Sequence, residues 1–376
     1  MIRLERRLSQ PWWLSLAVPI GSLVVAFAIM ALVLAASGHA PGSTFRSMIE
    51  AGFTGNGALS ATLMSATPIL FTGLAAAAAF RMNLFNIGAE GQLYLGAIGA
   101  SWIALRFGDH GVTSTPLFVV AMCLAAALLG ALWALIPGVL RAFANTNEII
   151  TSLMLNYVAG YLLTYLIFDS ASYWRDVSTL QARSFPQGKP MPPNAEWPTF
   201  GSSVVVPLGF AIGVLVAVGL WFLYSRTRFG FEVRVIADSP RAARYSGMRT
   251  RRKILAVMAV SGAVAGIGGA SQIGDFSHVL DGSPQGLQAA AFGYTGIVVA
   301  ALARYNPIAV CAVAVLIGGL LNAGFTLQGV DFPSGLVGVM QGIILFCALG
   351  GEVLIRYRVR VKRRARPHAD AAEAAA

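Results

Sequence analysis

The chain has 376 residues, 56% of them hydrophobic and only 11% charged, and its mean hydropathy is +0.69. Soluble domains carry roughly twice that charged fraction, so a soluble fold is excluded. The net charge of +11 needs no nucleic acid, because basic residues beside apolar spans orient those spans and meet anionic membrane lipids.

The apolar blocks exceed the ~20 residues that cross a hydrocarbon core. In chain order they predict an all-α polytopic membrane protein of about ten transmembrane helices, near 12–36, 58–80, 83–105, 117–140, 148–168, 203–224, 254–274, 288–303, 307–326 and 333–350. Arg3, Arg6 and Arg7 precede the first block as in a secretory signal. Its apolar run far exceeds the ~7–15 residues of a signal core, so a retained span is expected.

Around the third block, FNIGAEGQ (Phe85–Gln92) sets Asn86, Glu90 and Gln92 among glycines in otherwise apolar sequence. A carboxylate inside a bilayer costs at least ~2.5–3.5 kcal/mol, so Glu90 is expected to face a cavity or a partner. Two readings stand. Gly88 and Gly91 interrupt a helix there and present polar groups to a solute, or Glu90 caps or hydrogen-bonds a neighbouring span. If the segment is helical from Arg81, Glu90 lies on the order of 12 Å from its end.

NTNEIITSLMLNY (Asn145–Tyr157) opens the fifth block. Thr146 or Asn147 is placed to cap it, and Glu148 suits the positive end of its dipole. Asn156, about 12 Å further along, joins Asn86, Glu90 and Gln92 as a candidate pathway residue. The loop 169–202, with its prolines and polar residues, reads as an ordered cap. The loop 225–253 is expected to begin extended, because FEVRVIA alternates in strand fashion, and then to form a short helix from Ser239-Pro240 to about Gly247. The eighth block is short and suits a broken or re-entrant segment. Gly209/Gly213 and Gly262/Gly266 are G-x-x-x-G pairs that permit close helix packing. Asn322 and Gln341, single amides in late spans, read as interhelical bonds. The tail after Ile355 is basic, then alanine-rich, and is expected to fray.

Ten spans place both termini on one side. That side holds all but five of the 27 lysines and arginines, the exceptions being Arg46, Arg106, Arg175, Arg183 and Lys189. The excess marks it as cytoplasmic. The segment 225–253 is then cytoplasmic and 169–202 extracytoplasmic. Cys123, Cys311 and Cys347 stand singly, the four histidines are scattered, and H-E-x-x-H is absent. Neither a disulfide framework, a metal site nor an intramembrane catalytic set is indicated. No G-x-x-x-x-G-K-[ST] run occurs, so the chain has no phosphate-binding loop of its own.

FNIGAEGQLYLGA, TNEIITSLMLNYVAGYLL, SPRAARYSGMRTRRKILAVMAVSGAVAGIGGA and AAAFGYTGIVVAALARYNPIAV resemble, in order, the inner-membrane permeases of ATP-binding-cassette importers. The likeness runs from about residue 60 to 350, within the family serving sugars, nucleosides and branched-chain amino acids, and is strongest to its nucleoside and simple-sugar branch. It implies a multi-pass permease subunit of a bacterial inner membrane, with residues 1–355 as one permease domain and 356–376 as a cytoplasmic tail. It implies no enzyme and no cofactor in this chain, since ATP would be bound by a cytoplasmic ATPase. The other implied partners are a second permease, identical or homologous, and an extracytoplasmic solute-binding protein. The helix at Pro240–Gly247 corresponds to the family's coupling helix, which gives Pro240, Arg241, Ala243, Arg244, Tyr245 and Gly247 as ATPase-coupling residues. A stand-alone secondary transporter, with Glu90 carrying a coupling proton, and a branched-chain amino acid permease are the alternatives. No second copy of NIGAEGQ is legible in the C-terminal half.

Overall fold

The computed structural model describes residues 2–6, 14–108, 115–283, 286–327 and 335–361. It contains β1 (Ile2–Arg6), α1 (Leu14–Ala36), α2 (Pro41–Ile49), α3 (Ala58–Phe80), α4 (Ala89–Phe107), α5 (Thr115–Ala144), α6 (Glu148–Thr164) and α7 (Leu180–Ser184). There follow β2 (Thr199–Phe200), β3 (Val206–Pro207), α8 (Leu208–Arg226), α9 (Arg228–Asp238), α10 (Pro240–Tyr245), α11 (Thr250–Ser271), α12 (Phe292–Leu302), α13 (Pro307–Thr326), α14 (Leu336–Arg356) and β4 (Tyr357–Val361). Wide π turns extend α6 to Asp169 and α11 to Ser277. Among the described residues, six helices are long and apolar enough to cross a membrane: α3, α5, α6, α8, α11 and α13.

The chain divides into two compact units. One comprises residues 1–39 and 338–376. In it β1 pairs antiparallel with β4, Ile2 opposite Val361 and Glu5 opposite Arg358. Residues 357–361 were expected to fray. They form a strand because YRVRV alternates with period two and finds a partner of like pattern in IRLER. The basic tail beyond residue 361 lies outside the described residues.

The other unit, residues 40–337, is built around α3. This helix is apolar on every side, and its buried residues run without a gap from Ala66 to Phe80, as expected of a central helix. Around it, small residues let backbones approach. A Cβ on Gly262 would meet the Gly130 carbonyl and Ala134, and one on Gly266 would meet Ala126 and Gly130, so this G-x-x-x-G pair seats α11 directly on α5. Gly96 of α4 closes on Gly266 in the same way. The second pair does a different job, since Gly209 faces Asp275 and Ser271 while Gly213 faces Leu70.

Two expectations need correction. FEVRVIA is not extended, because residues 228–238 form α9. Gly230, Val233 and Ile236 are its buried residues, Arg228 pairs with Glu232 one turn on at 3.2 Å, and Thr227 accepts from the Gly230 N–H at 3.4 Å. Apolar spacing of three outweighed the apparent alternation once a helical neighbour, α11, offered Lys253 to Glu232 at 2.7 Å. Second, α4 begins only at Ala89 and runs unbroken past Gly91. The irregular stretch lies before it, at 81–88, rather than between Gly88 and Gly91. The eighth block is short, as expected: α12 has 11 residues, about 16 Å, roughly half of a ~30 Å hydrocarbon layer.

Candidate functional site

Residues 81–88 run as irregular backbone inside the helical unit, with Met82, Leu84, Asn86 and Gly88 buried. Backbone N–H and C=O groups in that setting require partners, and α6 supplies them. Asn147 caps α6 by accepting from the Ile149 N–H at 2.9 Å. From that start Glu148, Ser152 and Asn156 follow at four-residue spacing, one above the other on one helix face. The Phe85 N–H donates to Glu148 Oε1 at 3.4 Å. The Ile87 N–H donates to Ser152 Oγ at 3.2 Å. Asn156 Nδ2 donates to the Ile87 carbonyl at 2.9 Å, and Asn156 Oδ1 accepts from the Gly91 N–H at 2.9 Å. The two motifs are thus halves of one device, an unwound segment and the polar stripe that satisfies it. Arg141 pairs with Glu148 at 3.2 Å and holds the lower end of the stripe.

Asn86 and Gln92 close a reciprocal amide pair, each Nδ2 or Nε2 donating to the other's oxygen at 3.0 Å. Asn86 Oδ1 also accepts from the Gly88 N–H at 3.0 Å, and Asn86 Nδ2 donates to Ser261 Oγ at 2.8 Å. Ser261 passes the chain of bonds to the Ala75 carbonyl of α3 at 2.7 Å.

Glu90 sits in the first turn of α4 and serves a second helix. Tyr94 Oη donates to its Oε1 at 2.5 Å, and the Gly293 N–H of α12 donates to its Oε2. Ala291, at the N-cap of α12, gives no side-chain cap. Two helix N-termini therefore converge on one carboxylate, where their dipoles favour negative charge. Only glycine fits at 293, because a Cβ there would strike Glu90 N and Cα. Thr72 Oγ1 donates to the Phe292 carbonyl at 2.8 Å and levels this junction with α3, eight residues, or about 12 Å, from that helix's end.

Asn86, Glu90, Gln92 and Asn156, the four candidate pathway residues, are brought together. All are buried, and every bond described above joins them to protein groups. This is the geometry of scaffolding. Sequence inspection overlooked Tyr94, Gly293 and Ser261, of which only Tyr94, one turn from Glu90, carried a local signal. It also overlooked Asp275, placed beyond the seventh block. The wide turn after α11 keeps Asp275 buried, and its Oδ2 accepts from the Gly209 N–H at 2.9 Å, capping α8, whose own N-cap is Pro207.

At the α9–α10 end, Ser239 caps α10 as expected, accepting from the Ala242 N–H at 3.3 Å, and Gly247 closes the turn with φ +74°. Pro240, Arg241, Arg244, Tyr245 and Gly247 are exposed, Tyr245 by 96%. Ala243 is not among them. It is fully buried against its own chain, because a six-residue helix must turn one side inward. Nearby, the hydrogen bond from Lys253 holds the Glu232 carboxyl below its ordinary range.

Residues 58–349 match the family described as branched-chain amino acid transport system, permease component. The glucose ABC transporter permease protein TsgB13 of Haloferax volcanii is 31% identical, over 96% of this chain and 94% of its own. The guanosine ABC transporter permease protein NupP of Bacillus subtilis is 32% identical, over 88% and 92%. The nucleoside ABC transporter permease protein NupB of Lactococcus lactis is 28% identical, over 88% and 89%. This chain, too, belongs to the branched-chain amino acid transport system permease family, and is a multi-pass membrane transport component rather than an enzyme.

Proposed function

We propose that the chain is the permease subunit of an ATP-binding-cassette importer and forms the translocation path for a nucleoside or simple sugar across an inner (plasma) membrane. The carrying observation is its likeness, along nearly the whole of each chain, to permeases named for glucose and guanosine. That likeness favours this branch over branched-chain amino acids. ATP is bound by separate ATPase subunits, a second permease of the same or homologous sequence completes the path, and an extracytoplasmic binding protein delivers the solute. Residues 1–355 act as one permease domain in ten crossings, with 356–376 as its tail. The pairing of β1 with β4 sets residues 2–6 beside residues 357–361 and favours an even number of crossings between them. The basic excess favours a cytoplasmic location for both ends.

In this reading Pro240, Arg241, Arg244, Tyr245 and Gly247 present the motor-docking face. Ala243 supports it from within. Asn86, Glu90, Gln92 and Asn156 hold the inner wall of the path in shape. The test is Tyr245→Asp in the importer reconstituted with its ATPase and binding protein. Burying an unpaired charge at the docking face costs several kcal/mol, so guanosine or glucose uptake should collapse while the permease remains folded. Unchanged uptake and unchanged ATPase binding would remove α10 from the coupling role.

A further inference from the structure

The spans differ in what they show on the outside of the chain. On α5 the exposed row is aliphatic, Leu117, Val120, Leu124, Leu128, Leu132 and Ile136, as expected of a lipid-facing stripe. On α6 Ile150, Met154 and Val158 are exposed as well, but beside them a row rises through Tyr157, Tyr161 and Tyr165, at 57%, 74% and 53% exposure. Their four-residue spacing stacks them on one face over about 12 Å. Tyrosine in membranes concentrates at the water interfaces. Tyr157 and Tyr161, however, lie about 13 and 20 Å along a helix and turn of 22 residues, far from either end. None of the three hydroxyls has a hydrogen-bond partner among the described residues.

The stripe also begins where the buried polar network reaches the surface. Asn156, the residue before Tyr157, donates through Nδ2 to Tyr294 Oη at 3.3 Å, and Tyr294, at the start of α12 beside Gly293, is itself 38% exposed. The scaffold around Glu90 thus ends in tyrosine rings that look outward.

We propose that Tyr157, Tyr161 and Tyr165, with Tyr294 at their inner end, are the solute-facing wall of the translocation path. The ligand class is a neutral ring compound bearing hydroxyls. An aromatic face stacks on a base or on the C–H face of a sugar, and the phenolic oxygens exchange hydrogen bonds with ring hydroxyls as the solute passes. The inference rests on the transport function proposed above and deepens it. Sugars and nucleosides share the chemistry this wall recognises, whichever of the two is carried.

The test uses the importer with its ATPase and binding protein in vesicles, with Cys123, Cys311 and Cys347 replaced by alanine. Single cysteines are placed at Tyr157 and Tyr161 and, as aliphatic-stripe controls, at Leu124 and Leu128. A cationic methanethiosulfonate should react with Tyr157→Cys and Tyr161→Cys at least tenfold faster than with the controls. Guanosine or glucose at millimolar concentration should slow it severalfold. Rates equal to the controls would make the stripe a lipid face and overturn the proposal. So would fast labelling that neither solute slows, or a spontaneous Tyr161→Cys disulfide between two copies without solute protection, which would make the stripe a subunit interface. In the parent background, Tyr161→Phe, which loses the hydroxyl and keeps the ring, should lower uptake severalfold and Tyr161→Leu, which loses both, about tenfold or more; equal uptake by both would also overturn the stacking role. If the unsubstituted importer takes up neither guanosine nor glucose, the function proposed above fails on its own, and the labelling contrast still decides whether the stripe faces water.

Discussion

α6 carries two polar rows on opposite sides. The inner row, Glu148, Ser152 and Asn156, is buried and bonded to the backbone of residues 85–91. The outer row, Tyr157, Tyr161 and Tyr165, is exposed, and its hydroxyls have no hydrogen-bond partner among the described residues. Both have four-residue spacing, so periodicity does not separate them. The difference is that the inner row answers backbone groups that have nowhere else to go, which makes it a matter of stability. The outer row answers no backbone group, and in the proposal above it faces the solute. Polar residues in a span therefore report on function only after the neighbouring backbone has been accounted for.

The comparison breaks most sharply at Asn156. Asn156→Leu leaves the Gly91 N–H and the Ile87 carbonyl without partners. Each orphaned buried group costs about 1–3 kcal/mol, so the purified permease should lose several degrees of melting temperature, with uptake falling in proportion to folded protein. A variant with unchanged melting temperature and lost uptake would move Asn156 from the scaffold to the path.

Glu90→Gln comes next. The amide offers one oxygen where the carboxylate serves Tyr94 and Gly293 with two, and bonds to a charged acceptor are worth about 1.5–3 kcal/mol against about 1 for a neutral one. A loss of about 1–2 kcal/mol is expected, measured by thermal denaturation in detergent. Asp275→Asn should lose less, because an amide oxygen still accepts from Gly209 and the other carboxylate oxygen, Oδ1, has no partner to lose. Equal losses at the two sites would contradict the double-helix role assigned to Glu90.

Ser152→Ala removes one partner, that of the Ile87 N–H, and should cost about 1 kcal/mol. On the outer row, Tyr161→Phe should move the melting temperature by less than about 0.5 kcal/mol equivalent. A larger shift would show that the outer row, too, is structural.

The smallest effect lies at Glu232, outside the spans. Its folded pKa is depressed from 4.5, first by the hydrogen bond from Lys253 and then by the charges of Lys253 and Arg228. A depressed carboxyl contributes stability above its unfolded pKa and loses it as pH falls through the folded value. The difference in melting temperature between the parent and Glu232→Gln should therefore be small at pH 7 and disappear on acidification below 4.5.

Much of this was legible along the chain. The blocks at 58–80, 117–140, 148–168 and 307–326 correspond to α3, α5, α6 and α13. The caps at Asn147 and Ser239 were placed by local chemistry that acts over three residues. The loop 225–253 was half read. Ser-Pro announced α10, while FEVRVIA fits both period two and an apolar spacing of three, and only Lys253 and the packing of α9 decided between them.

By itself the sequence determined that the chain is a helical membrane protein, which family it resembles and which few polar residues must find partners in an apolar interior. The physical reason is that hydrophobic length, charge placement and capping are properties of neighbouring residues. Which partners those polar residues take was decided only in three dimensions. Glu90 meets Gly293 across 203 positions of chain, and Asn86 meets Ser261 across 175. Ala243 turns inward although every coupling candidate around it turns out, because burial is a property of the surface a helix packs on, and no residue carries that surface in its own letters.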